Sequence, residues 1–171
     1  MLDYVRPYIE KIEAFLNKRK ETLELILIGG LAMSFYGEER YTMDIDGEVS
    51  CSEALFYALL DYLKREGLNF NIGEDISHWG VIPLPEGYRD RAKTVYKSDY
   101  LTIRILDPVD FIFSKLMRGT EEDFKDILAV IKRYKIRGKD IIERGNLIKY
   151  PKDPETLFFK KKIEHLLSLI R

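Results

Sequence analysis

The residues best suited by type and spacing to do chemistry lie in ILIGGLAMSFYGEERYTMDID, residues 26–46. On a strand, residues two apart face the same way, about 6–7 Å apart along the chain. Asp44 and Asp46 would therefore project from one face while Ile45 turns into the core. Two carboxylates so spaced can converge on one Mg²⁺ (or Mn²⁺) while that ion grips a triphosphate, and can share a second ion. Gly29 and Gly30 close an apolar run where a strand would turn into a helix. Lacking side chains, they let phosphate oxygens approach backbone N–H groups. Arg40 and Thr42 share the strand parity of Asp44 and would extend the same site if the strand starts that early. An apolar-Gly-Gly turn alone is ordinary, and an acid-x-acid strand alone is usually a solvated face; their order and spacing together point to nucleotide binding. The G-x-G-x-x-G pattern is absent, so a dinucleotide fingerprint is excluded.

Elements able to position these residues can be read around them. Residues 6–20 repeat apolar positions at helical spacing, with Pro7 tolerated in the first turn. Residues 23–28 suit a buried strand, 31–36 a short helix closed by Gly37, and 43–49 a second strand. Ser52 caps a helix that runs through Leu55, Leu59 and Leu63 to a stop at Gly67. Short strands are expected near residues 69–72 and 80–84, and a clear one at 101–106. Asp107-Pro108-Val109-Asp110 opens a helix ending at Gly119; residues 120–123 open another, and the remainder is amphipathic and helical. The expectation is an α/β (α+β) protein with a short mixed sheet flanked by helices. It divides into a core over residues 1–110 and a helical C-terminal part over 111–171 packed on it.

Composition bounds the function. The chain has 171 residues, is 46% hydrophobic and carries a net charge of -1. That charge hides an asymmetry, with residues 1–110 at -7 and residues 111–171 at +6, which suits a metal-collecting half and a phosphate-facing half as well as it suits exposed charged helices. No run approaches the roughly 20 apolar residues of a membrane span, so no membrane partner is expected. The single cysteine, Cys51, excludes an internal disulfide and fits a reducing cytoplasm. With only His78 and His165, a zinc site is not expected. A charged fraction of 33% without glutamine hints at a thermophilic source. His78-Trp79 reads as a buried aromatic pair more readily than as a base-stacking platform. The basic run over residues 132–139 is a weak RNA-binding signal.

The motif Ile28-Gly29-Gly30, thirteen residues, then Asp44-Ile45-Asp46 resembles that of the polymerase-beta-like nucleotidyltransferases, an apolar residue with Gly-Gly or Gly-Ser, about ten residues, then Asp-x-Asp. The fuller string, Gly29-Gly30-Leu31-Ala32 followed by Arg40-x-Thr42-x-Asp44-Ile45-Asp46, is similar to the small bacterial and archaeal branch that includes minimal nucleotidyltransferases and abortive-infection toxins. Lys115-Leu-Met-Arg118, followed by Asp123 and Asp126, resembles a later segment of that branch. The resemblance implies the nucleotidyltransferase fold, Mg²⁺ (or Mn²⁺), an NTP substrate, and transfer of NMP to a hydroxyl of RNA, protein or a small molecule. It also implies a toxin–antitoxin setting, or a helical RNase as partner. Carried over residue by residue, Asp44 and Asp46 bind metal, Gly29 and Gly30 cradle phosphate, and Lys115 reaches the triphosphate. Asp123 and Asp126 order the site or bind Arg118, with a structural salt bridge across the Gly119 turn as the plainer reading.

One departure stands out. Active members of the wider family usually carry a third carboxylate on a later strand, and residues 101–106 offer Thr102 and Arg104 there, with Asp99 just before and Asp107 just after. If that strand lies beside the one bearing Asp44, Arg104 must meet a phosphate or an acid such as Asp46. The alternative to an enzyme is a weak or inactive nucleotide-binding or protein-interaction module of the same fold.

Overall fold

A computed structural model describes residues 3, 5–38 and 44–170. By internal contacts the chain forms two compact units, residues 1–75 with 92–105, and residues 76–91 with 106–171. The first contains α1 (Arg6–Arg19), β1 (Leu23–Ile28), α2 (Gly29–Met33), β2 (Asp44–Ser50), α3 (Glu53–Arg65), β3 (Asn69–Gly73), β4 (Lys93–Lys97) and β5 (Leu101–Ile105). The second holds a 3₁₀ turn (Ile76–His78), α4 (Tyr88–Arg91), α5 (Pro108–Arg118), α6 (Glu121–Tyr134), α7 (Gly138–Gly145) and α8 (Pro154–Leu169).

The five strands form one mixed sheet in the order β3-β2-β1-β5-β4. β1 runs antiparallel to β2 and parallel to β5, and β2 runs parallel to β3. Parallel neighbours need a crossover rather than a tight turn, and α3 supplies it between β2 and β3. It is well specified locally: the Ser52 hydroxyl accepts from the Leu55 N–H at 3.2 Å, and Leu55, Leu59 and Leu63 form its buried stripe.

Register sorts the sheet into two unlike faces. Leu25 and Leu27 align with Ile45, Gly47 and Val49 on one side and with Ile103 and Ile105 on the other. These residues meet Ile9 and Ile12 of α1 in a dry layer. Each fully buried aliphatic side chain there contributes roughly 1.5–3 kcal/mol. The opposite face gathers polar residues around Ile26 and Ile28 of β1: Asp44, Asp46 and Glu48 from β2, Glu24 from β1, Thr102 and Arg104 from β5, Asn69 and Asn71 from β3. Ile26 and Glu48 are buried on this face, while Asp44, Asn69 and Asn71 are exposed.

In the second unit, α5 and α6 form a hairpin joined through Gly119, whose φ of +65° suits glycine. Phe111, Ile112, Phe113, Leu116, Ile127 and Val130 fill its interior. Asp110, fully buried, is held by Arg91 at 2.8 and 3.0 Å and by Arg144 at 2.8 Å, so its charge is doubly compensated as burial demands.

Two local expectations are corrected. Residues 80–84 form no strand: Pro83 and the neighbouring Pro85 lack the N–H a ladder needs, and the segment is held instead by buried Ile82 and Leu84, with the Leu84 N–H donating to the Ser77 hydroxyl at 2.9 Å. Trp79 is 40% exposed rather than buried. β4 was hidden in the sequence because its pairing with β5 is interrupted between Thr94 and Tyr96, which breaks the simple alternation.

Candidate functional site

β2 carries the acids. Asp44 and Asp46 point to the polar face, and Asp46 stands opposite Ile28, the last residue of β1, so the glycine turn that follows lies beside it. Gly29 has φ +71°. A Cβ built there would strike the Asp46 carboxylate, falling 3.2 Å even from its Cβ and Cγ. Gly29 thus answers two demands, a left-handed backbone and room at a carboxylate. Gly30 has no positive φ and begins the regular turn. α2 has only five residues, too short for much of a macrodipole.

The donor set suits Mg²⁺. That ion is commonly held by one or two carboxylates while substrate phosphates and water complete its shell, and Asp44 and Asp46 would be those carboxylates. Among the described residues there is no group of three His, Cys, Asp or Glu side chains able to hold a metal by themselves.

Tyr8 belongs to the surroundings of the pair and was missed by sequence reasoning. Burial pushes its phenol above the ordinary value, and the charge of Asp44 adds to the shift. Its signal was masked because it sits among the core-facing residues of α1, next to Ile9.

Arg40 and Thr42 lie outside the described residues. β5 is not beside β2, since β1 separates them. Arg104 does meet an acid, but it is Glu24: Nη1 donates to Glu24 at 2.9 Å and Nη2 to the Ala92 carbonyl at 2.7 Å. The register explains the choice, because Thr102 and Arg104 flank Glu24 and Ile26 of β1. Of the two acids considered as a third ligand, Asp99 is exposed before β5, and Asp107 caps α5 by accepting from the Val109 N–H at 3.0 Å and binds Arg144 at 3.2 Å.

Lys115, Arg118, Asp123 and Asp126 lie together in the second unit. Lys115 Nζ is 2.8 Å from Asp126 and 3.5 Å from Asp123. Arg118 grips Asp123 with two bonds of 2.8 and 2.7 Å across the Gly119 turn. Asp123 is also half of a capping box with Thr120. Burial alone would raise its carboxyl; hydrogen bonds from Arg118 and from the Thr120 backbone and hydroxyl outweigh that and hold it well below the usual carboxylate range. Lys115 and Asp126 are buried, and a buried cation needs such partners. The cluster is a charge-satisfied fastener of α5 to α6.

Residues 6–141 match a family model described as nucleotidyltransferase of unknown function (DUF6036). The chain belongs to this family. The match takes in the sheet with its acidic β2, the glycine turn and the α5–α6 hairpin, and agrees with the resemblance to nucleotidyltransferases read from residues 28–46. No match is found among curated proteins. No helix among the described residues is long and apolar enough to cross a membrane.

Proposed function

We propose that this nucleotidyltransferase is metal-dependent, and that it moves an NMP group from an NTP to an acceptor hydroxyl. The observation that carries this reading is the contact between the two motif halves. Asp46 shares a strand face with Asp44, and the absence of a side chain at Gly29 is what lets the Asp46 carboxylate lie against the glycine turn. Asp44 and Asp46 would hold Mg²⁺ or Mn²⁺, which when bound polarises phosphoryl oxygens and lowers the pKa of a coordinated hydroxyl. The chain's own contribution is to fix the two carboxylates by strand pairing and to offer backbone N–H groups to the triphosphate at Gly29-Gly30.

The test supplies each labelled NTP in turn with Mg²⁺ or Mn²⁺ and total cell RNA or lysate, and asks where label goes. RNA, protein and small-molecule acceptors separate on extraction, and co-purified proteins would reveal an antitoxin or a helical RNase. Wild type should transfer label and Asp44→Asn/Asp46→Asn should not. Equal labelling by both proteins would overturn the proposal.

A second reading, a weak or inactive nucleotide-binding module, is favoured by one observation: no third acid joins the pair among the described residues. Nucleotide binding without transfer to any acceptor would select it.

A further inference from the structure

The strand beside β2 on its outer side is β3, and its residues have an unusual composition. The chain has four asparagines, and two of them, Asn69 and Asn71, are on this five-residue strand. Asparagine is depleted in strands because its amide competes with the ladder. Both positions are also fixed in register: Asn69 aligns with Asp44 and Asn71 with Asp46. Paired residues of neighbouring strands face the same way, with Cβ atoms about 5 Å apart, so each carboxylate has a carboxamide beside it on the polar face. The intervening Phe70 and Ile72 align with Ile45 and Gly47 on the apolar face. Both asparagines are exposed, and neither side chain is hydrogen-bonded to another described residue. Their backbones serve the ladder, and their carboxamides are left to the polar face.

Asp46 consequently sits in the middle of a row, with the Gly29 turn on its β1 side and Asn71 on its β3 side. We propose that Asn71 is the third member of the metal site, a neutral carboxamide in the place where a carboxylate would complete a three-acid cage. This rests on the reading of Asp44 and Asp46 as metal ligands. An amide oxygen can accept from a metal-bound water or coordinate weakly, and its NH₂ can donate to a phosphate oxygen. Among the described residues the site then offers a divalent ion two carboxylate charges, so the ion binds poorly alone and well together with a triphosphate. Asn71 makes occupancy of the site depend on nucleotide.

The experiment titrates Mn²⁺ alone, and Mn²⁺ with a non-hydrolysable ATP analogue, into the full chain by calorimetry and by electron paramagnetic resonance. Four proteins are compared: wild type, Asn71→Asp, Asn71→Leu and Asp44→Asn/Asp46→Asn. Wild type should bind Mn²⁺ weakly, and much more tightly with the analogue. A third charge about 5 Å from the ion should tighten Mn²⁺ alone by roughly tenfold or more in Asn71→Asp, a gain that a structural role would not produce. Asn71→Leu, which suits an exposed strand position, should stay folded and lose several-fold affinity in the presence of the analogue. If Asp44→Asn/Asp46→Asn abolishes Mn²⁺ binding but Asn71→Asp binds Mn²⁺ as wild type does, the role of Asn71 is refuted. If the double variant binds Mn²⁺ normally, the metal site itself is misplaced.

Discussion

Replacing Gly29 by alanine separates two effects that the structure places at one residue. The first is backbone strain. At φ +71° a side chain costs about 1–2 kcal/mol. The second is collision: the new methyl would overlap the Asp46 carboxylate, which must leave its rotamer at a further cost of about 0.5–1.5 kcal/mol. Gly67 provides the control, since it has nearly the same φ of +66° and nothing within 4 Å of its would-be Cβ. Gly67→Ala should therefore lose only the strain, about 1–2 kcal/mol, and Gly29→Ala about 1 kcal/mol more. Chemical denaturation of the two variants measures this difference. Repeating Gly29→Ala in an Asp46→Ala background should reduce it, because the colliding carboxylate is gone and only the residue 46 Cβ at 3.2 Å remains. Gly29→Ala should also weaken Mn²⁺–ATP by about tenfold, equivalent to about 1.4 kcal/mol, whereas Gly67→Ala should leave it untouched. Equal destabilisation by both alanines, together with normal Mn²⁺–ATP affinity for Gly29→Ala, would refute the contact between the glycine turn and the acidic strand.

Other expectations follow from the same geometry. Asp44→Asn/Asp46→Asn should reduce Mn²⁺–ATP affinity in calorimetry by several kcal/mol, because two anionic ligands are removed. Arg104→Ala should cost about 1–2 kcal/mol of stability through its bonds to Glu24 and Ala92 and change NTP affinity less than twofold; a large affinity loss would return Arg104 to the nucleotide. Lys115→Leu should destabilise the helical unit by about 3–5 kcal/mol because Asp126 is left buried without its cation, which urea unfolding followed by circular dichroism would show. Asp123, with its folded pKa depressed, contributes stability that is complete above its unfolded value of about 4 and is lost as pH falls through the folded value. The stability gap between wild type and Asp123→Asn should therefore be constant from pH 7 to about 5 and close progressively below about pH 4.

The sequence by itself determined the parts of this site that depend on local rules. Strand parity put Asp44 and Asp46 on one face, the glycines marked the turn after β1, and caps at Ser52, Asp107 and Thr120 set three helix starts, because each of these depends on residues a few positions apart. It also held the family signature, which is local in the same sense. The tertiary structure decided which strands are neighbours, and with that the partners of every polar side chain on the sheet. Hydrophobic alternation gives a strand its faces but not its place in the order, so the sequence left open whether β5 lies beside β2, and pairing placed β1 between them. That one fact assigned Arg104 to Glu24 and brought Asn71, unremarked in the linear sequence, alongside Asp46. Likewise the requirement for glycine at residue 29 arises in part from a carboxylate on another strand, seventeen positions away in the chain, and only folding brings it into contact.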